Sequence, residues 1–325
     1  MTLRQSAFLV LAIGLASIAA LALGAGKVRK TDVHGVGWHD SFSAAAEEAK
    51  RLGKPILFLS MFGQLDEEMP CANARTLRAT LFKDPEFLKL VSQDVVPAWE
   101  MVRPVPKITV DLGDGKAVKR TVRGNAVMYL CNSDGKVVDA YPGVYTPEDF
   151  MPAVRESISM AGKSSDEINS WHTTNGKDLR MIRATLSKSG VESPVLNLVG
   201  ARRIAGADNR EKVDRQDEKR LRFLRAAARI EDASLTPMTP NQVAVTATGE
   251  LIGNKTPEQV GMEILKLDSR QNITQMRGVV HLWLASEKEL PTPAQARDTV
   301  LETILKIPYK DPYFGLKDIL VPGTN

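Results

Sequence analysis

One cysteine at the predicted start of a helix is the residue best suited to do chemistry in this chain. Cys71 is followed by Ala-Asn-Ala, so Ala74 stands where a second thiol would complete a Cys-x-x-Cys pair. The positive end of a helix dipole favours a cysteine thiolate, which is the nucleophilic form. A lone thiol that forms a mixed disulfide needs an outside thiol for release. The sequence therefore predicts at most a monothiol site at Cys71.

Charged residues around Cys71 would act on the thiolate in opposite directions. Arg75 and Arg78 follow one and two helical turns later and favour it, whereas the acidic residues 66–68 precede it and disfavour it. Three roles for Cys71 stay open at this point: a structural thiol, a redox or peroxide-sensing thiol, and a metal or haem ligand. The other cysteine, Cys131, is predicted to be buried and unbonded, because the five strand residues before it span about 16 Å. A disulfide needs Cα atoms within about 7 Å of each other.

Alternating helices and strands are predicted around Cys71. Fully apolar runs favour strands buried on both faces, and Asp-Gly or Gly-Asp-Gly between two strands favours hairpin turns. Strands joined by helical crossovers are expected to be parallel. The predicted helices are 41–52, 71–81, 85–91 and one opening at Thr146, and the predicted strands are 56–61, 95–102, 108–112, 117–122, 126–131 and 137–141.

This pattern resembles the thioredoxin-like superfamily. Three stretches carry the resemblance: Trp38 with Lys-Pro-Ile-Leu-Phe at 54–58, Cys71 eleven residues before Phe-Lys-Asp-Pro at 82–85, and the hairpin sequence at 130–138. The resemblance implies an α/β thioredoxin-like fold, a central mixed sheet flanked by helices, followed by a mostly helical C-terminal region.

The same resemblance assigns roles to individual positions. It places Cys71 at the nucleophilic cysteine and Ala74 at the resolving one. The cis-proline that the family places opposite its active site would fall at Asn125-Ala126, and no proline is present there. The implied function is a thioredoxin-like protein with a degenerate active site, acting through protein contacts with little or no thiol-disulfide exchange. The alternative is a monothiol oxidoreductase or thiol-dependent peroxidase that uses Cys71 as its nucleophile.

The N-terminus predicts export. Arg4 is the only charged residue before an uncharged run over residues 8–26 that ends in small residues, which is typical of a signal peptide or an uncleaved signal anchor. We expect a periplasmic or cell-envelope protein, which residues 8–26 hold to the membrane if they form an uncleaved anchor. The predicted organisation is a signal peptide or anchor at 1–26, a polar tether at 27–36, a thioredoxin-like domain at 37–162 and a mostly helical domain of unknown type at 163–325.

Within the C-terminal region the sequence predicts several separate elements. A charged helix is expected at 211–230 and a strand at 243–248. Thr256 and Thr292 each precede Pro and stand three residues before Gln, which indicates capping boxes. The triplet that starts at Asn272 fits a glycosylation sequon, which also arises often by chance.

Composition excludes several function classes. The 325 residues carry a net charge of +4, which is too small to indicate a nucleic-acid partner. Two cysteines exclude a disulfide scaffold or a cysteine-based zinc site. The four histidines, His34, His39, His172 and His281, show no metal-binding spacing and are expected at the surface or satisfied in the core. We therefore expect no cofactor and no metal, and a protein partner that the sequence does not identify.

Overall fold

The structure is a computed structural model that describes residues 29–188 and 262–317, except positions 263, 264, 267, 271 and 306. The predicted signal segment, the helix at 211–230, the strand at 243–248 and the cap at Thr256 lie outside the described residues. In the part of the chain that is described, no helix is long and apolar enough to cross a membrane.

The described chain is an α/β fold around a six-stranded mixed sheet. The sheet order is β1-β2-β4-β3-β7-β8, and β5 pairs with β6 in a separate two-stranded hairpin. The strands are β1 Lys30–Val33, β2 Val36–His39, β3 Ile56–Phe62, β4 Val96–Arg103, β5 Lys107–Asp111, β6 Ala117–Thr121, β7 Ala126–Cys131 and β8 Val137–Pro142. The α-helices are α1 Phe42–Leu52, α2 Ala72–Ala79, α3 Pro85–Gln93, α4 Pro147–Met160, α5 Ser165–Lys188, α6 Arg277–Leu284 and α7 Pro293–Asp298.

Strand directions follow from the connections. Helices α2 and α3 join β3 to β4, and these two strands are parallel, as expected for a helical crossover. Short turns join β7 to β8, and this pair is antiparallel, as is the pair β3 with β7. Strands β3, β7 and β8 are buried along their whole length, in keeping with their mostly apolar sequences, and Asp139 is the charged exception on β8.

Helix starts agree with the capping signals in the sequence. The side chain of Ser41 accepts a hydrogen bond from the first turn of α1, and Asp84 and Thr146 do the same for α3 and α4. Thr292 forms the predicted capping box with Gln295 at the start of α7. Helix α2 ends at Ala79, two residues before the predicted end, and a 3₁₀ turn at Leu81–Lys83 completes the connection.

Two features of the described residues concern the organisation of the chain. Residues 30–36, expected in a polar tether, form β1 and the start of β2, because alternate residues such as Thr31 and Val33 point into the protein. The predicted boundary at residue 162 does not divide the core. Apolar residues of α6 and of the π-helix Thr299–Ile304 belong to the same hydrophobic cluster as β3 and β7.

Candidate functional site

Cys71 lies directly before α2, beyond the carboxyl end of β3. Its side chain is fully buried, at 0% exposure. Its backbone N–H donates to the carbonyl of Phe62, the last residue of β3, over 3.0 Å. Its Sγ donates to the carbonyl of Asn125 over 3.3 Å. A sulfur at this distance from a carbonyl oxygen is placed to donate a hydrogen bond, which a thiol can do and a thiolate cannot.

The chain just before β7 is pressed against this cysteine. Gly124 has a φ of +84°, and a Cβ built there would lie 2.9 Å from Cys71 Cβ and 3.2 Å from Phe62 Cβ. The carbonyl of Asn125 also accepts from the N–H of Phe62 over 3.3 Å. The Asn125 side chain accepts from Asn73 Nδ2 over 2.5 Å, so it ties the start of α2 to the start of β7. Asn125 therefore stands opposite Cys71.

The charged residues near Cys71 have structural partners. Arg75 is buried, and its guanidinium donates to Thr121 Oγ1 over 3.4 Å. Arg78 donates to two backbone carbonyls, those of Leu65 and Glu67, over 2.7 and 2.8 Å. The Glu67 carboxylate forms an ion pair with Lys107 at 3.2 Å. These contacts fix the loop between β3 and α2 against α2 and against the β5–β6 hairpin.

Cys131 lies at the opposite end of β7 from this site. It is fully buried and lies across from Ile56, at the start of β3, whereas β7 begins at Ala126, next to Asn125. Burial raises the pKa of the Cys131 thiol far above its usual range. Neither cysteine is in a disulfide. The expectation of a buried, unbonded Cys131 is confirmed.

A second buried polar cluster lies between β8, α4 and α6. Asp139 on β8 is fully buried and accepts hydrogen bonds from Arg277 and Ser157 at its Oδ2, over 3.0 and 2.7 Å. Arg277 also reaches Glu156 over 3.2 Å. Burial alone would raise the pKa of Asp139, but Arg277 lowers it to about 2, so the carboxylate stays charged. This ion pair joins α6 to β8 inside the protein.

Two of the histidines that were expected at the surface or satisfied in the core meet beside this ion pair. His172 on α5 and His281 on α6 are buried, and their Nδ1 atoms lie 2.7 Å apart, so one donates and the other accepts. Nε2 of His281 has no hydrogen-bond partner among the described residues. Burial lowers the pKa of His281 to about 4, although the negative charge of Asp139 raises it. Burial lowers the pKa of His172 as well.

Sequence reasoning missed this cluster because its members lie on four elements far apart in the chain. Arg277 stands 138 residues from Asp139, and the two histidines stand 109 apart. No local spacing marks them. Among the described residues, no group of three or more histidine, cysteine or acidic side chains is placed to hold a metal ion.

Asn272, the first residue of the sequon, is half-buried. Asn272 lies in the π-helix Asn272–Met276, and its Nδ2, the atom that would carry a glycan, donates to the carbonyl of Val144 over 2.9 Å. Its amide also packs where a side chain on Gly143 would stand. A glycan at this nitrogen would have to break these contacts.

The chain is thus an α/β protein with one buried cysteine at the carboxyl edge of a mixed sheet. Comparison of the chain with protein-family models, curated proteins and solved structures finds no match.

Proposed function

We propose that this chain is an exported, thioredoxin-like protein with a degenerate active site, which acts through protein contacts with little or no thiol-disulfide exchange. The sheet supports the fold part of this proposal. Helices α2 and α3 join the parallel strands β3 and β4, the antiparallel strands β7 and β8 follow, and Cys71 lies at the end of the loop between β3 and α2. The uncharged N-terminal run at residues 8–26 supports export.

One observation carries the proposal of low activity: the Cys71 thiol is fully buried and donates a hydrogen bond to the Asn125 carbonyl. Thiol exchange needs a sulfur that is exposed and largely in the thiolate form. The residue one turn later is Ala74, which is buried and has no thiol to resolve a mixed disulfide. Both requirements of a dithiol enzyme are therefore unmet at this position.

Insulin reduction with dithiothreitol as the reductant tests the proposal. We expect the purified protein to reduce insulin no faster than dithiothreitol alone, and Cys71→Ser to behave identically. Turnover comparable to that of a dithiol thioredoxin, and lost in Cys71→Ser, would overturn it. The same result with a peroxide substrate would favour the monothiol or peroxidase alternative.

A second variant separates the missing thiol from the burial. Ala74→Cys restores a second cysteine one helical turn from Cys71, where side chains on one face lie about 5–6 Å apart. If burial also limits the reaction, this variant stays far slower than a dithiol thioredoxin. Full activity in Ala74→Cys would show that the missing thiol alone accounts for the low activity.

A further inference from the structure

Residues 308–316 cross the end of the sheet at which Cys71 lies. This end, called the sheet edge here, is formed by the carboxyl ends of β3 and β4 and the start of β7. Residues 308–316, called the strap here, follow the π-helix Thr299–Ile304 and fold through consecutive turns. Asp311 organises them: its side chain accepts from the backbone N–H groups of Tyr313 and Gly315 over 3.0 and 2.6 Å. The strap pairs with no strand of the sheet.

Two arginines at the sheet edge hold the strap by its carbonyl oxygens. Arg103, the last residue of β4, donates to the carbonyls of Tyr309 and Asp311, each over 2.8 Å. Arg123, just before β7, donates to the carbonyl of Gly315 over 2.9 Å. Charged donors give hydrogen bonds stronger than neutral ones. The strap is therefore fastened on both sides of the end of β3.

An aromatic side chain fills the space between these two anchors. Phe314 is 1% exposed and packs edge-on against Phe62, with ring centroids 5.1 Å apart. The guanidinium of Arg103 lies over the Phe314 ring at 5.1 Å. Phe314 adopts a φ of 57°, in the left-handed region that non-glycine residues seldom occupy. Tyr313 next to it is 53% exposed and takes no part in this packing.

Phe62 links the strap to the cysteine. Its carbonyl accepts from the Cys71 N–H, its N–H donates to the same Asn125 carbonyl that accepts the Cys71 thiol, and its ring contacts Phe314. The strap thus forms an outer layer over Phe62, and Cys71 with Asn125 forms the inner one. Turns attached through a few side chains open at lower free energy than core strands do.

We propose that the strap is an autoinhibitory cover, which must leave the sheet edge before a partner protein can contact Phe62, Asn125 and Cys71. This inference rests on the proposed function of that edge as a protein-contact surface. Without the strap, the sheet edge has an apolar space on Phe62 that an aromatic ring can fill, between Arg103 and Arg123. It therefore fits a partner segment that brings an aromatic side chain flanked by backbone carbonyls, as the strap does.

Thiol labelling tests the cover on the full chain, with Cys131 as an internal reference. The protein is exposed to N-ethylmaleimide, and mass spectrometry of peptides follows Cys71 and Cys131 separately. In Phe314→Ala we expect Cys71 to be labelled at least 10-fold faster than in the unchanged protein, with Cys131 unchanged. The matched control is Tyr313→Ala, which removes the neighbouring exposed ring and should leave both rates unchanged.

Three outcomes would overturn the proposal that the strap covers the sheet edge. Labelling of Cys71 in Phe314→Ala at the unchanged rate shows that the strap does not limit access. Equal acceleration at Cys71 and Cys131 shows general unfolding, so the strap belongs to the stable core. Equal effects of the Phe314 and Tyr313 substitutions show that the packing on Phe62 is irrelevant.

The insulin assay on Phe314→Ala distinguishes failure of the strap proposal from failure of the proposed lack of thiol-disulfide exchange. Fast Cys71 labelling without insulin reduction supports both. Fast labelling with reduction that Cys71→Ser abolishes supports the cover and overturns the proposed lack of exchange activity. Slow labelling with no reduction overturns the cover and leaves the proposed function in place.

Discussion

The buried histidine pair should make the protein lose stability in mild acid, and the perturbation that isolates this effect is His281→Asn. An asparagine amide can still share a hydrogen bond with His172 Nδ1, but it cannot be protonated between pH 4 and 8. The cause of the acid sensitivity is the buried imidazole, whose pKa falls from 6.5 to about 4 in the folded protein.

The folded and unfolded pKa values of His281 decide whether acid stabilises or destabilises the protein. The unfolded chain takes up a proton at His281 as the pH falls through 6.5, whereas the folded protein resists this until about pH 4. Lowering the pH therefore stabilises the unfolded state relative to the folded state. Linkage over this interval gives a loss of about 2 kcal/mol at pH 5 and about 3 kcal/mol at pH 4, relative to neutral pH. The lowered pKa of His172 adds to the loss.

The Asp139 carboxylate contributes little to the loss of stability between pH 6.5 and pH 5. Arg277 keeps Asp139 ionised in the folded protein down to about pH 2, and the unfolded reference value is 3.8. The stability that the Asp139 carboxylate contributes is therefore lost only below about pH 4. Between pH 6.5 and 5 the histidines dominate.

Urea denaturation at pH 7.5 and pH 5.0 measures the effect. We expect the free energy of unfolding of the unchanged protein to fall by at least about 2 kcal/mol between these conditions. In His281→Asn the fall should be smaller by about 2 kcal/mol. Exposed His34 provides the control, and His34→Asn should retain the full fall. An equal fall in His281→Asn and in the unchanged protein would refute the reasoning.

Two further substitutions test the packing at each polar site. Gly124→Ala should cost about 2 kcal/mol or more in urea denaturation, since a left-handed φ alone costs about 1–2 kcal/mol and the new Cβ meets a Cβ at 2.9 Å. Gly35→Ala, at a φ of +83° with nothing within 4 Å, should cost only the backbone part; equal costs would contradict the close approach. Asp139→Asn should cost about 3–5 kcal/mol by leaving Arg277 buried beside a neutral amide. Glu156→Gln, at the exposed end of the same network, should cost less than about 1 kcal/mol, and a similar loss in both variants would disprove the role assigned to burial.

Much of the secondary structure around Cys71 was readable from the chain because local signals set it. Gly53, in the left-handed conformation, ends the first helix before β3, and Ser41, Asp84 and Thr146 cap the starts of helices. The strands differ from prediction by a residue or so at their ends, where pairing with a neighbour decides the last residue. Strand β1 was not predicted because only two of its residues, Thr31 and Val33, point into the protein. An alternation of that length is too short to indicate a strand from sequence.

The candidate site was predicted in part. Local sequence predicted Cys71 at a helix start, and the cysteine lies directly before α2. Burial of the thiol was not predictable, because it depends on Gly124, on Phe62 and on the layer outside them. The contacts that bring the strap to this edge join residues about 200 positions apart, such as Arg103 and Asp311.

The sequence by itself determined where the helices and strands lie around Cys71, and that the residue one turn later carries no thiol. Both depend on interactions among near neighbours, which capping residues, prolines and apolar periodicity record directly. Only the tertiary structure decided that Cys71 is buried as a hydrogen-bond donor, that a distant segment lies over its edge of the sheet, and that His172 meets His281 beside the Asp139–Arg277 ion pair. These contacts join residues that are remote in the chain, and their energies come from burial and charge pairing that exist only once the core has formed.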